Sequence, residues 1–145
     1  MVKLIITDVD GVIVGSKKGM NFPFPSKKGI SRLRKVNLSG IPVVLCSGKY
    51  QSAIKPVILQ MNLKNPHITD AGALIIDPVS KKIINVVTIE KELVSKIIKT
   101  CLENNIFLEI FTPEQYFIHK YQIEIVPRRA LILQQDPVTL DSLAE

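Results

Sequence analysis

From Gly11 to Thr69 the chain carries no acidic residue, although Asp and Glu number 13 over its 145 positions. Residues 1–69 therefore set eleven lysines and arginines against Asp8 and Asp10 alone, a formal charge of +9, whereas Asp70 onward carries −3. A field of that sign suits an anionic substrate and leaves two carboxylates isolated within it. Cysteine is equally scarce. Cys46 and Cys101 lie far apart in apolar surroundings without CxxC or His-rich spacing, which fits reduced core thiols rather than metal ligands. His67 and His119 are single and carry no pattern of their own. Apolar runs such as Ile41–Cys46 are short and broken by Pro, Lys or Asn, so none approaches a membrane span. Lys3 and Asp8 near the start, with no small-residue cleavage site, argue against a signal peptide and for a cytoplasmic protein.

What is present is organised around Lys3–Gly11, KLIITDVDG. An apolar run, Leu4–Ile6, ends in Thr7 and then places Asp8 and Asp10 one residue apart before Gly11 lets the backbone turn. In an extended chain residues i and i+2 project to one side, so the two carboxylates converge on a point where a divalent cation or a shared proton would let them coexist. An Asp-Gly turn closing a strand would present the same residues for structural reasons alone. After a Gly- and Pro-containing loop over 12–25, Ser26 is placed to cap a helix to about Asn37, with Ile30, Leu33 and Val36 on one face. Ile41–Cys46 then reads as a strand buried on both faces of a parallel sheet. Strand, helix, strand is a βαβ unit whose two strand ends share one sheet edge, the edge where such folds bind ligands.

Ser47, Gly48 and Lys49 follow that second strand and precede a helix expected over about Tyr50–Met61, with Pro56 as its irregular point. A hydroxyl, free amides and a lysine at a helix N-terminus make a phosphate site, although a Ser N-cap can be purely structural. Strand pieces are expected at His67–Thr69, Ala73–Ile76 and Lys82–Val87, with a turn at Asp77-Pro78. A helix over about Ile89–Asn104 follows, then strands at Ile106–Phe111 and Tyr116–Lys120, a helix over Glu124–Gln135 interrupted early by Pro127, and an end, Asp136–Glu145, with no clear pattern. The architecture changes near Asp77, from α/β to α plus antiparallel β. The expected division is 1–77 and 78–145. The basic cluster Lys17, Lys18, Lys27, Lys28, Arg32, Arg34 and Lys35 lacks interleaved aromatics, so a solvated helix face accounts for it better than a nucleic-acid footprint.

Taken together the first part resembles the haloacid dehalogenase superfamily of phosphotransferases. Its DxDG[TV] signature is matched by Asp8-Val9-Asp10-Gly11-Val12, and its hydrophobic-[ST]-G-[RK] motif by Leu45-Cys46-Ser47-Gly48-Lys49. The stretch Ile68–Asp77, ITDAGALIID, is similar to the segment leading into the α/β cap of the Cof-type subgroup, with Ala71 where that subgroup has Asn. The resemblance implies a Rossmann-like parallel sheet, the first half of the core, followed by part of an α+β cap. It implies that Asp8 is the nucleophile forming an aspartyl phosphate, that Asp10 is the general acid and base, and that Ser47, Gly48 and Lys49 bind the phosphoryl group. It further implies Mg²⁺ held by Asp8 and Asp10, and a small phosphorylated metabolite such as a sugar phosphate as substrate.

Two further motifs of that family, a phosphate-clamping lysine and an acidic pair of the GDxxND type, are not found after Asp77. Lys49 stands where the subgroup usually has Arg, not where its lysine is found. In the family, strands supplied after the cap flank the strand ending in Asp8 on one side. Without them that strand is expected to have an open apolar edge, inviting self-association or a partner that supplies the missing half. A non-catalytic binding or structural protein of the same fold, a phosphomutase, and a nucleic-acid binder are the competing readings.

Overall fold

A computed structural model describes residues 1–16 and 21–142. Lys17 and Lys18 of the basic cluster, Gly19 of the expected loop and the last three residues of the expected irregular end lie outside the described residues. The chain divides into two compact units, Met1–Val86 and Val87–Glu145. The division follows the hairpin that begins at Asp77, because the hairpin's second strand pairs back onto its first.

In the first unit β1 (Ile5–Thr7), α1 (Lys27–Leu38), β2 (Val43–Leu45), α2 (Gln51–Met61) and β3 (His67–Thr69) alternate strictly. Strands β1 and β2 are parallel, with Ile5 opposite Val43 and Thr7 opposite Leu45. A single parallel bridge between Cys46 and Ile68 links β2 to β3. Strands β3, β4 (Leu74–Ile76) and β5 (Ile83–Val86) form an antiparallel meander. Its β4–β5 turn is closed by Asp77, whose Oδ1 accepts from the backbone N–H groups of Val79 and Ser80, both at 2.8 Å. Those two bonds hold the Asp77 carboxyl below its ordinary range. The expected cap at Ser26 is present, its Oγ accepting from Gly29 N at 3.2 Å.

Val9, Val14, Val43, Leu45, Ile54, Val57, Ile58, Met61 and Leu63 form the core, flanked by Ile5 and by Ile30, Leu33 and Val36 of α1. This core covers one face of the sheet. Val43 and Leu45 are buried, but Val44 and Cys46 are only half-buried, so β2 is not buried on both faces as its continuous apolar run suggested. The same asymmetry marks β1, where Ile5 packs inward while Leu4 and Ile6 are 46% and 56% exposed. Ile5 N donates to Pro42 O and Thr7 O accepts from Cys46 N, both at 2.9 Å. In a parallel ladder alternate residues turn their amide and carbonyl to opposite sides, so those of Ile6 face away from β2. Among the described residues no strand pairs with that edge.

The second unit contains α3 (Lys91–Glu103), β6 (Glu109–Phe111), β7 (Tyr116–His119), a 3-10 segment over Lys120–Ile125, α4 (Val126–Leu133) and β8 (Val138–Leu140). Pro127 does not interrupt α4. It sits in the first turn, where its missing N–H has no intrahelical partner to lose. Strand β7 is central, antiparallel to β6 and parallel to β8. This parallel partner lies where no element was expected. Tyr116 and Ile118 are buried here, and the Tyr116 hydroxyl donates to Gln135 O at 3.2 Å. Arg129 holds Glu109 with two parallel bonds, Nε to Oε1 at 2.8 Å and Nη2 to Oε2. No helix among the described residues is long and apolar enough to cross a membrane.

Candidate active site

Strand β1 delivers Asp8 and Asp10 to the sheet edge by anchoring the residue between them. Val9 is 1% exposed in the core, so by alternation its two neighbours point outward. The turn beyond is tied by Ile13 N and Val14 N, which both donate to Val9 O at 3.0 and 2.9 Å, and Gly11 adopts φ +74°, where a side chain would be strained. The Asp8 carboxylate is oriented from below, its Oδ1 accepting from Val9 N at 2.6 Å.

Because β1 and β2 are parallel, the residues after β2 reach the same edge. Ser47 is buried there. Its N–H donates to Ile68 O at 3.0 Å, and its Oγ accepts from Lys49 N at 3.2 Å. No described residue accepts from Gly48 N–H, which leaves that amide and the Ser47 hydroxyl proton for a ligand. Lys49 crosses to the first strand end, with Nζ 3.1 Å from Asp10 Oδ1 and a side chain only 16% exposed. The edge thus brings together all five residues singled out in the sequence. One expectation about them changes: Ser47 is not at a helix N-terminus. Helix α2 starts at Gln51 behind an extended Tyr50, so the loop's own amides, and not the helix dipole, are what Ser47 can add to.

Two residues of this neighbourhood went unrecognised in the sequence. Asp70 follows β3 as Asp8 follows β1, and that position was the available signal. Its carboxyl accepts from Thr69 Oγ1 at 2.6 Å, and burial raises it above the ordinary range against the opposing effect of that bond. His67 is fully buried, and its Nδ1 accepts from Leu45 N at 3.1 Å, so the imidazole takes the place of a ladder carbonyl between β2 and β3. Burial lowers its pKa to about 4, against a smaller raising effect of Asp77. A lone histidine gives no periodic or spacing signal from which this role can be read.

Among the described residues no group of three or more His, Cys, Asp and Glu gathers as a metal-binding set. The groups at this strand end that could face a divalent cation are the Asp8 carboxylate and the Asp10 backbone carbonyl, and Mg²⁺ is an ion commonly held by few protein oxygens while keeping several waters.

The sequence model for haloacid dehalogenase-like hydrolases matches residues 5–140. Among curated protein sequences none matches the chain. A haloacid dehalogenase-like hydrolase from Bacteroides thetaiotaomicron superposes with a TM-score of 0.82 at 20% identity, over 98% of this chain and 53% of its own. For a haloacid dehalogenase-like hydrolase from B. subtilis the values are 0.73 and 21%, over 97% and 55%. A sugar phosphatase of subclass IIB of the superfamily gives 0.74 and 17%, over 95% and 52%. The chain thus spans about half the length of these solved structures.

Proposed function

The chain belongs to the haloacid dehalogenase-like hydrolase family, and from this we propose that it carries the nucleophile-bearing half of a Mg²⁺-dependent phosphomonoesterase site. The substrate is a small phosphorylated metabolite, and the likeness to a sugar phosphatase favours a sugar phosphate. The observation that carries this reading is the meeting of Asp8, Asp10 and the Ser47–Lys49 loop on one parallel-strand edge, with Lys49 Nζ at 3.1 Å from Asp10. Phosphoryl transfer asks for little beyond such positioning and charge neutralisation.

In this mechanism an Asp8 oxygen attacks phosphorus, and the bond from phosphorus to the leaving alcohol oxygen breaks. Asp10 gives that oxygen a proton. Water then attacks the aspartyl phosphate and yields its proton to Asp10, which releases inorganic phosphate and restores Asp8. The Ser47 hydroxyl and Gly48 N–H donate to phosphoryl oxygens, and the Lys49 ammonium adds positive charge beside them. The Asp8 carboxylate and the Asp10 backbone carbonyl would hold Mg²⁺, which when bound would supply positive charge against the phosphoryl oxygens.

A phosphate-release assay on small sugar phosphates tests this reading. In a polypeptide that also supplies the rest of the site, turnover is expected with Mg²⁺ and not after chelation. Ser47→Ala, which removes one hydrogen bond to a charged oxygen, is expected to lower kcat/KM roughly 10- to 100-fold. Magnesium-independent release, or a Ser47→Ala variant equal to wild type, would sink it.

The uncovered edge and face of β1 are where we place further polypeptide, supplying a second cation for the phosphoryl group and another acid for the metal. An unpaired apolar edge promotes pairing between copies when nothing covers it. The 145-residue chain alone is therefore expected to self-associate in light scattering as its concentration rises. A monomer throughout a moderate concentration range overturns this placement.

A further inference from the structure

Directly behind the Ser47–Lys49 loop the backbone takes an uncommon course. Three successive residues, Asp70, Ala71 and Gly72, have φ of +54°, +55° and +97°. For L-residues this left-handed region brings Cβ against the following carbonyl, and only Gly enters it freely. Asp tolerates it better than most, because its short side chain can bond locally, as Asp70 does with Thr69 Oγ1. Strain of this kind persists where surrounding structure demands it.

The hydrogen bonds show what the turn achieves. Asp70 N donates to Lys49 O at 3.0 Å, and Ala71 N donates to Ser47 O at 3.3 Å. Together with Ser47 N to Ile68 O, these tie the loop to the end of β3. A trans peptide is planar, with its C=O and N–H pointing in opposite directions. Anchoring Ser47 O on Ala71 therefore aims the N–H of the same peptide, that of Gly48, away from the turn. This is the loop amide that no described residue uses.

We infer that Asp70 is a positioning residue for the phosphate-binding loop, acting through the left-handed turn that it opens. The role of the loop rests on the function proposed above, but the aiming of the Gly48 amide does not. Asp70 itself need not touch substrate. What it supplies is a residue able to hold positive φ at the first position of the strap.

The test separates backbone from carboxylate. Asp70→Asn, Asp70→Gly, Asp70→Ala and Asp70→Val are made in the full chain, and two readouts are taken. The first is the Gly48 amide resonance without ligand, and the second is its response to titration with inorganic phosphate. Asn and Gly hold positive φ and are expected to keep the wild-type resonance and to bind phosphate at least as well. Val, whose branched side chain is costly at positive φ, is expected to move it and to weaken phosphate about tenfold, and Ala, which this turn already holds at position 71, to do so to a smaller extent. Should the Val chain fail to fold, Ala carries the comparison, and Ala71→Gly, which relieves strain, is expected to leave the Gly48 resonance in place. A Gly variant as impaired as Ala, or four variants indistinguishable from wild type, overturns the inference. If the wild type binds no phosphate, the proposed function loses its phosphate site, while the ligand-free Gly48 resonance still decides the strap.

Discussion

Asp8→Asn is expected to abolish phosphate release, by roughly 10⁴-fold or more in kcat, as removal of a covalent nucleophile does in comparable enzymes. The variant is a clean one for a structural reason. Asp8 Oδ1 accepts from Val9 N at 2.6 Å, and the amide oxygen of Asn can keep that bond. Val9 stays in the core, the Gly11 turn is unchanged, and only the attacking oxygen is replaced by a nitrogen without a nucleophilic lone pair. Stability is accordingly expected within about 0.5 kcal/mol of wild type, measured by urea unfolding. The second readout is chemical. With a phosphorylated substrate, wild type is expected to retain acid-stable label at Asp8 after rapid quenching, and the variant none. Full turnover in Asp8→Asn, in any polypeptide context where wild type is active, removes Asp8 from the nucleophile role. Loss of turnover together with loss of folding would instead point to the Val9 bond. The urea measurement distinguishes the two.

The residues that were legible from sequence are those whose signal is local. Strand β1 and its two carboxylates show as an apolar run followed by alternating acids, α1 shows by the spacing of Ile30, Leu33 and Val36 behind Ser26, and the parallel pair follows from strand–helix–strand order. What was misread depends on partners distant in sequence. Ser47 looks like a helix cap, yet Gly48, Lys49 and Tyr50 intervene, and the extended Tyr50 delays the helix to Gln51. The continuous run in β2 suggested cover on both faces, whereas helices α1 and α2 contribute to a core on one. Strand β8 is three residues behind Asp136-Pro137, too short for a period and recognisable only by its pairing with β7. The pairing of Lys49 with Asp10 joins two strand ends, and the roles of His67 and Asp70 exist only once β2 and β3 lie side by side.

His67 leads to the other large effect, a loss of first-unit stability in mild acid. Its Nδ1 must be unprotonated to accept from Leu45 N, and its Nε2, buried with no hydrogen-bond partner among the described residues, gains nothing from a charge on the ring. Burial accordingly lowers the folded pKa from 6.5 to about 4, with Asp77 as the opposing charge. The unfolded chain, titrating near 6.5, takes up the proton first. Stability is therefore whole above pH 6.5, declines as pH falls through 6.5 toward 4, and levels off below. Linkage puts the loss between pH 7 and pH 5 at about 2 kcal/mol, a large share of a small unit's margin. His67→Asn isolates this contribution, because its amide oxygen can accept from Leu45 N but does not titrate. Wild type is expected to lose about 2 kcal/mol over that interval in urea unfolding, and the variant less than about 0.5, from a lower starting stability because Asn fills less of the buried site. Groups that do not interact with His67 cancel in the difference. Parallel pH dependences for the two would show that the imidazole is not the group linking β2 to β3 in its neutral form. A difference confined to pH 4–6.5 places the proton on His67, at the rung next to the one that holds Ser47 to its edge.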